Sequence, residues 1–227
     1  VFINADFYPF LSTDGGKTLS PRKKTPFFAA EGEVGIFIDK TNKNLYYGVQ
    51  FGYVHRNMTT GEETPYDVKP INTFSNSSGT RAYTDSYIAN RVYTFAPGFM
   101  GANFSVSNDN GKNRTMLMNL YTPRLSVVSP EPNKDIVWIA YGGGDEYTPV
   151  NFHRIDFSDT ENIINEQIEL PESDIINGVY IDPDNTDNVV ISLGAKIYVS
   201  TDAGKNWTQI TEGLEELDPV NDLILSI

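Results

Sequence analysis

"YVSTDAGKNWTQI", residues 198–210, is the stretch of sequence that decides the fold. It begins with strand-forming residues, which lead directly into a polar turn that contains Ser200, Asp202 and Gly204 and ends at Trp207. Serine, aspartate and glycine dominate ordinary turns, so one such stretch indicates no more than a single hairpin. A repeated structural unit would instead show the same turn at a regular spacing along the chain.

The turn occurs three times in clear form. "STDGGKTL" at 12–19 and "SNDNGKNR" at 107–114 share the Ser, Asp and Gly offsets of "STDAGKNW" at 200–207. A weaker polar turn contains Gly61, and a degenerate one lies at 156–163. The recurrence of three clear copies favours a repeat over a chance cluster of turn residues.

The glycines of these turns follow a regular spacing. Gly16 and Gly61 are 45 residues apart, and Gly61 and Gly111 are 50 residues apart. The 93 residues between Gly111 and Gly204 correspond to two periods, with the degenerate copy between them. From Gly16 to Gly204 there are 188 residues, which is four periods of 47.

The apolar segments repeat in phase with the turns. Residues 35–65 align with 178–209, a third copy begins at 125–144, and a weaker fourth copy occupies 86–115. Each copy alternates short apolar runs with Asp-, Pro- or Gly-containing bends, a pattern typical of several short strands. The aligned pairs are Asp39 on Asp182, Asn44 on Asn188, and Ser129-Pro130 on Asp182-Pro183.

A period of about 40–50 residues with several strands per unit is typical of a β-propeller. We therefore predict an all-β propeller of four-stranded blades about 47 residues long, with four full repeats and two partial ones; an irregular β-sandwich is the alternative. We expect one propeller domain, or a fragment of a larger propeller, over residues 1–227. The predicted repeats are 1–30 (partial), 31–75, 76–120, 121–170, 171–215 and 216–227 (partial).

The turn resembles the Asp-box, or BNR repeat, of sialidases, two-propeller xyloglucanases, sortilin-type receptors and many secreted bacterial propellers. The resemblance implies a structural role in the hairpin between the third and fourth strands of a blade, with Trp207 covering the turn. Leu19 and Arg114 stand where the family has Trp. The implied structural residues are Ser12, Asp14, Gly16, Ser107, Asp109, Gly111, Ser200, Asp202, Gly204 and Trp207.

The composition narrows the classes of partner. The 227 residues carry a formal charge of −13, which disfavours nucleic acid and anionic membrane surfaces. No apolar run approaches the roughly 20 residues of a membrane-spanning helix. The chain has no cysteine, which excludes a disulfide framework and a cysteine nucleophile.

The chain ends suggest incomplete blades. The first residues, "VFINADFYPF", match the middle of a blade and no signal peptide, while "NDLILSI" at 221–227 matches a first strand. Either the two ends share a fifth blade, or the chain belongs to a larger ring. In an open arc, neighbouring chains or further blades would cover the strand edges.

Catalytic and metal-binding signatures are weak. "HRIDF" at 153–157 lacks the proline of the sialidase motif. "DPDNTDN" at 182–188 has the alternating oxygens of a calcium loop but no later bidentate Glu, so we predict a strand-connecting turn. His55 and His153 fall in separate strands and indicate no zinc site. We expect no cofactor and no bound metal ion, and the sequence identifies no catalytic residue.

One loop stands out as a ligand candidate. "YGGGDEYTP", residues 141–149, places two carboxylates between two tyrosines that could stack on sugar rings. The alternative is a long blade hairpin. The candidate ligand residues are Tyr141, Asp145, Glu146 and Tyr147.

The resemblance implies a secreted or cell-surface propeller that binds a protein or a glycan, or acts as a scaffold. Two other functions stay open. One is a glycoside hydrolase of the Asp-box xyloglucanase type, whose carboxylate pair lies partly outside this chain. The other is a sortilin-like receptor ectodomain. Sequons at Asn57, Asn76, Asn103, Asn113 and Asn206 fit an extracellular setting.

Overall fold

The computed structural model describes residues 2–5, 8–21, 36–39, 43–49, 52–67, 81–98, 101–121, 125–143 and 149–211. These residues form strands and turns, and among them no helix is long and apolar enough to cross a membrane. The strands are β1 Phe2–Ala5, β2 Tyr8–Leu11, β3 Ser20–Pro21, β4 Ile36–Ile38, β5 Asn44–Val49, β6 Gly52–Asn57, β7 Glu63–Asp67, β8 Arg81–Thr84, β9 Val92–Gly98, β10 Gly101–Ser107, β11 Thr115–Leu120, β12 Leu125–Pro130, β13 Ile136–Tyr141, β14 Asn151–Asp156, β15 Ile164–Gln167, β16 Ile176–Ile181, β17 Val189–Leu193, β18 Lys196–Ser200 and β19 Thr208–Ile210.

The strands form antiparallel sheets in which each strand pairs with its neighbour in sequence. Four sheets have four strands each, namely β4–β7, β8–β11, β12–β15 and β16–β19, and β1–β3 form a three-stranded sheet. The four-stranded sheets lie within the ranges 31–75, 76–120, 121–170 and 171–215. The predicted all-β class and four-stranded repeat are therefore confirmed.

Burial within a sheet follows the order of the strands. The central strand β13 is a continuous apolar run, "IVWIAY", and five of its six residues are buried. The last strands β15 and β19 are exposed along their whole length. Inner strands therefore contribute hydrophobic area on both faces, while β15 and β19 each pair with one strand among those that the structure describes.

The chain divides into two compact units, Val1–Pro123 and Arg124–Ile227. In the first unit, Tyr46 of β5 packs in a buried cluster with Ala82, Val92 and Ala96 of the next sheet. In the second unit, the buried cluster joins sheet β12–β15 to sheet β16–β19. Its members are Ile136, Trp138, Ala140, Phe152, Ile168, Ile176, Ile181, Val189, Ile191, Leu193 and Tyr198.

A carboxylate residue follows the first strand of every four-stranded sheet. Its backbone N–H closes the turn to the second strand, as in Asp39 to Asn44 O (2.9 Å) and Asp182 to Asn188 O (3.0 Å). The sequence alignment of Asp39 with Asp182 is therefore correct. The four residues are Asp39, Asp85, Glu131 and Asp182.

The alignment of Ser129-Pro130 with Asp182-Pro183 is wrong by two residues. Pro130 is the last residue of β12 and pairs with Val137, and the turn begins with Glu131, whose N–H donates to Ile136 O at 2.9 Å. The reason is that Pro130 ends a first strand at the sheet edge, where a missing N–H is tolerated, whereas Pro183 lies inside a turn.

Glu131 is the most deeply buried of these carboxylates, with 0% of its surface exposed. Its Oε1 accepts the Trp138 indole N–H at 2.9 Å and the Arg154 Nε–H at 2.8 Å. Its Oε2 accepts from Lys134 Nζ at 3.1 Å. Lys134 also donates to the Thr186 hydroxyl, so the network joins two consecutive sheets. The buried charge is thus compensated by two cations and a neutral donor.

Candidate functional site

The three clear copies of the turn, which we call the S-x-D turns (12–19, 107–114 and 200–207), share one geometry. Each lies between the last two strands of its sheet, directly after β2, β10 or β18. In each, the buried Ser hydroxyl accepts the N–H of the Gly four residues later, at 2.7–2.8 Å. The same hydroxyl donates to the Asp carboxylate at 2.7–2.8 Å. Ser and Asp thereby satisfy several backbone donors of the turn from within the turn itself.

A fourth position, six residues after the Ser, completes each turn. It is Thr18, Asn113 or Asn206, and its backbone N–H donates to the Asp carboxylate at 2.9 Å in all three turns. Its side chain donates to the other carboxylate oxygen at 2.7 Å. The sequence indicated only sequons at Asn113 and Asn206, although a short polar side chain recurs at this position in every copy.

Two consecutive residues in each turn have a positive φ. In the third turn they are Ala203 (56°) and Gly204 (84°), and in the second they are Asn110 (62°) and Gly111 (97°). A Cβ is disfavoured in this region, which explains the glycine. In the second and third turns, the first of these residues also donates its N–H to the other turn at that end of its sheet. Ala203 donates to Asp187 O at 2.9 Å, and Asn110 donates to Asn90 O at 3.0 Å.

The surroundings of the turns differ. Trp207 is partly buried against the core of the second unit, and its indole N–H donates to Glu169 O at 3.0 Å. Gly204 is buried, and a Cβ there would lie 3.0 Å from Ile168 and 3.3 Å from Trp138. Leu19 is 46% exposed, and Arg114 is also exposed, so neither covers its turn as Trp207 does.

The hydrogen bonds lower the pKa values of Asp14, Asp109 and Asp202 from 3.8 to about 2. The largest causes are the bonds from Thr18, Asn113 and Asn206, and the Ser hydroxyl adds to them. A carboxylate with a depressed pKa in the folded state stabilises the fold fully above its unfolded pKa. Its contribution is lost as the pH falls through the folded value.

We therefore expect Ser200→Ala to raise the pKa of Asp202 towards 3.8, because one donor to the carboxylate is removed. Carboxyl-carbon NMR titration between pH 1.5 and 6 would follow the three aspartates separately. Asp14 and Asp109, whose bonds are untouched, serve as internal controls and should still titrate near 2. An unchanged titration of Asp202 would contradict the assignment of the Ser200 hydroxyl as a donor.

The two weaker copies fold into other turns. In the hairpin after β6, Asn57 Oδ1 accepts the N–H groups of Thr59 and Thr60, and Gly61 donates to Asn57 O. After β14, Asp156 accepts from Ser158, and Asp159 accepts from Asn162. These hairpins stay polar and short without the S-x-D arrangement.

A cleft of about 550 Å³ opens beside the connection from β15 to β16. Its apolar lining comes from Val150, Ile168 and Leu170. Its polar lining comes from Gln167, Glu169, Glu172 and Ser173. Three of the polar residues, Gln167, Glu169 and Ser173, are exposed. The cleft therefore combines an apolar floor with a polar rim.

Glu172 is held in place at this cleft. Its carboxylate accepts from Lys196 Nζ and from the Tyr198 hydroxyl, the latter at 3.0 Å. The hydrogen bond from Lys196 is the largest cause that lowers the pKa of Glu172 below its ordinary value. The group is consequently ionised at neutral pH and already paired, whereas Glu169 forms no ion pair with any described residue.

The predicted ligand loop is only partly described. Asp145, Glu146 and Tyr147 lie outside the described residues. Tyr141 ends β13, its hydroxyl lies 3.1 Å from His153 Nε2, and the two rings are stacked at 5.4 Å. Asn165 Oδ1 lies 2.7 Å from His153 Nδ1, so that nitrogen carries a proton. Burial lowers the pKa of His153.

The loop begins and ends next to the cleft. Gly143 has a φ of 72°, and a Cβ there would meet Val150, which also lines the cleft. Gly143 therefore lies beside Val150, one of the residues that line the cleft. The sequence carries only a weak signal for residues 167–173, since "QIELPES" places two carboxylates and a proline directly after a strand.

The other metal-site candidates form turns and strands. Asp182 closes the β16–β17 turn by accepting the N–H of Asp184 and the side chain of Asn188. His55 of β6 stacks on Tyr46 and bonds to Asn44 Oδ1 at 2.7 Å. Within the described ranges, no group of three or more His, Asp or Glu side chains is placed to hold a metal ion.

No protein-family model matches the chain, and no curated protein matches it by sequence. Solved structures do. A GH74 enzyme from Niastella koreensis superposes with a TM-score of 0.55 and 18% identity, over 91% of this chain and 29% of that one. A chain of a nidogen/laminin complex superposes with a TM-score of 0.55 and 11% identity, over 88% of this chain and 70% of that one. The extracellular domain of the putative one component system BT4673 from B. thetaiotaomicron superposes with a TM-score of 0.54 and 14% identity. The match covers 99% of this chain and 29% of that one.

Together with the repeated four-stranded sheets, these similarities show the β-propeller fold predicted from the sequence. The chain spans under a third of the length of the GH74 enzyme and of the BT4673 domain.

Proposed function

We propose that the chain is a propeller binding module that takes a protein or glycan partner at the cleft between Val150 and the β15–β16 connection. The observation that carries the proposal is the cleft itself, about 550 Å³ in volume with an apolar floor and an exposed polar rim. Ligand sites typically have volumes of about 300–1,000 Å³ and combine apolar walls with a few oriented polar groups.

The cleft is built on rigid parts of the second unit. Val150 begins the segment that leads into β14, and Ile168 belongs to the buried core. Trp207 and Tyr198 brace the connection through Glu169 O and Glu172. A preformed wall lowers the entropy lost on binding, which supports a recognition role.

The proposed setting is secreted or at the cell surface. The resemblance of the S-x-D turns to the Asp-box supports it, as does the likeness to an extracellular domain. The likeness to a chain from a nidogen/laminin complex supports a protein as the partner. Further blades or neighbouring chains as partners, and a sortilin-like receptor role, stay predictions.

The test blocks the cleft. Ser173 is exposed on the rim, so Ser173→Trp should fill the opening without disturbing the core. The immobilised chain would be probed by surface plasmon resonance with xyloglucan oligosaccharides and with unstructured peptides of differing charge. We expect saturable binding of at least one ligand class, weakened about tenfold or more by the substitution.

Thr64→Trp is the matched control, because Thr64 is exposed on β7 in the other unit. It adds the same side chain far along the sequence from the cleft and should leave binding unchanged. Binding that both variants leave intact would place the ligand elsewhere and overturn the proposed site. Failure of every ligand class to bind would overturn the proposed function.

A glycoside hydrolase is the second candidate, because Glu169 and Glu172 place two carboxylates on one cleft. Glu172 has a lowered pKa, caused first by its bond from Lys196, which suits a base or nucleophile and not a general acid. The acid would then be Glu169 or a group outside the described residues. Release of reducing ends from xyloglucan, abolished by Glu169→Gln, would favour this candidate.

A further inference from the structure

Four of the five sequons of the chain lie in the part that the structure describes, at Asn57, Asn103, Asn113 and Asn206, and Asn76 lies outside it. In a sequon, Asn-x-Ser/Thr, the carboxamide nitrogen of Asn can accept a glycan. An enzyme that transfers the glycan has to bind both this nitrogen and the hydroxyl residue two positions later. Both groups must therefore be accessible if a folded chain is to be modified.

The sequon Asn57-Met58-Thr59 is accessible. It runs from the end of β6 into the hairpin to β7, where Met58 is 39% exposed and Thr59 is also exposed. Asn57 Oδ1 accepts the N–H groups of Thr59 and Thr60 at 2.9 and 3.0 Å, an Asx turn that fixes the carboxamide through its oxygen. The nitrogen Nδ2 bonds to no described residue, and it is not among the buried unpaired atoms of the described side chains. It therefore reaches solvent.

The sequon at Asn103 is buried by the fold. Asn103 lies in β10, which pairs with β9 on one side and β11 on the other. The next two residues, Phe104 and Ser105, are 0% and 8% exposed, and Asn103 Oδ1 is buried without a hydrogen-bond partner. The hydroxyl residue of this sequon is therefore inaccessible to an enzyme while the sheet is intact.

Asn113 and Asn206 are exposed, but their amide nitrogens are already bonded. Each Nδ2 donates to the Asp carboxylate of its own S-x-D turn at 2.7 Å. A carboxamide nitrogen is a weak nucleophile, so an enzyme has to bind it directly and would compete with this charge-assisted bond. The middle residue of the sequon at Asn206 is Trp207, which packs against the core of the second unit. Both sequons are therefore protected by the turns that contain them.

We propose that, of these four asparagines, Asn57 is the one that accepts an N-linked glycan on the folded chain. The donor is a lipid-linked oligosaccharide diphosphate. Asn57 Nδ2 forms a bond to the anomeric carbon of the first sugar, and the bond from that carbon to the diphosphate oxygen breaks. The diphosphate leaves with the electron pair, and Nδ2 gives up one proton. The Asx turn is kept, because it uses Oδ1 and not Nδ2.

The test uses the full 227-residue chain, folded and without glycan, with a purified oligosaccharyltransferase and its lipid-linked oligosaccharide. Peptide mass spectrometry gives the rate of modification at each sequon, and a synthetic peptide that spans the same sequon gives the rate without the fold. We expect the rate at Asn57 in the chain to lie within about threefold of its peptide, because no local opening is needed. The rates at Asn103, Asn113 and Asn206 should be at least about tenfold below those of their peptides.

Substitutions test the protection by the S-x-D turn. Asp202→Ala removes the acceptor of the Asn206 amide, so the rate at Asn206 should rise about fivefold or more while the rate at Asn57 is unchanged. Asp14→Ala is the matched control, because it removes the same carboxylate from the S-x-D turn that has no sequon, and it should change neither rate. Thr59→Ser keeps the hydroxyl and should keep the modification of Asn57, whereas Thr59→Ala should abolish it. Circular dichroism checks that each variant is folded.

Two results would overturn the inference. One is a rate at Asn57 in the folded chain that lies about tenfold or more below that of its peptide, because the nitrogen would then not be accessible. The other is equal modification of Asn57 and Asn103, each relative to its own peptide, in a chain that circular dichroism shows to be folded. Transfer would then require opening of the chain, and the fold would select no site.

Discussion

Replacing Glu131 with alanine is expected to lower the free energy of unfolding by about 3–5 kcal/mol. The carboxylate is fully buried and accepts from Trp138, Arg154 and Lys134. Its removal leaves the fully buried Trp138 indole N–H without its acceptor, and the Arg154 guanidinium, whose side chain is 23% exposed, loses its buried partner. The loss comes mainly from these orphaned donors.

Urea unfolding followed by tryptophan fluorescence would measure this effect, since both Trp residues lie in the second unit. Glu131→Gln is the informative companion, because it keeps one acceptor oxygen and should lose less than the alanine variant. Glu161→Ala, at an exposed carboxylate in the turn after β14, should change stability by less than about 0.5 kcal/mol. Equal effects of Glu131→Ala and Glu161→Ala would refute the assigned role of the network.

Replacing Gly204 with alanine should lower the free energy of unfolding by about 2–5 kcal/mol, in two parts. Its φ of 84° disfavours any Cβ by about 1–2 kcal/mol. The new methyl group would also lie 3.0 Å from Ile168 and 3.3 Å from Trp138, so the core must shift. Overpacking of this kind adds about 1–3 kcal/mol.

Gly16→Ala provides the matched control, because Gly16 occupies the same position in the first turn at a φ of 93°. A Cβ there has no described atom within 4 Å, so only the backbone part of the effect remains. Urea unfolding followed by circular dichroism reports on both units. If the two substitutions destabilise their units equally, the close packing of Gly204 on Trp138 adds nothing to the loss in free energy of unfolding.

The fold was largely predictable because each turn of the repeat is specified by residues that are close together in sequence. A side chain that bonds only within eight residues, as Ser200 and Asp202 do, must recur wherever the turn recurs. The spacing of the turn glycines along the chain therefore predicted the spacing of the sheets. The structural role of Asn206 and its counterparts was not predicted, because a short polar residue in a turn is common and carries little information alone.

The cleft and the Glu131 network could not be predicted in the same way. Glu131 is stabilised by Lys134 of its own turn and by Trp138 and Arg154, which meet it only once β13 and β14 are paired in register. A one-residue slip would separate them. The alignment of Ser129-Pro130 with Asp182-Pro183 failed for the same reason, because the strand register is not visible in the sequence. The cleft depends on Val150 and on residues 167–173, which lie outside the repeated turns.

The second S-x-D turn also affects the chemical stability of the chain. Asn110-Gly111 is the kind of dipeptide in which the glycine nitrogen attacks the asparagine side chain and expels ammonia, leaving a succinimide. Here the Gly111 N–H donates to Ser107 Oγ at 2.7 Å, and Asn110 is held by the Tyr46 hydroxyl and Asn90. The nucleophile and its target are thus both immobilised. The hydrogen bonds that shape the turn also protect it from spontaneous deamidation, so an asparagine can persist there through the working life of the protein.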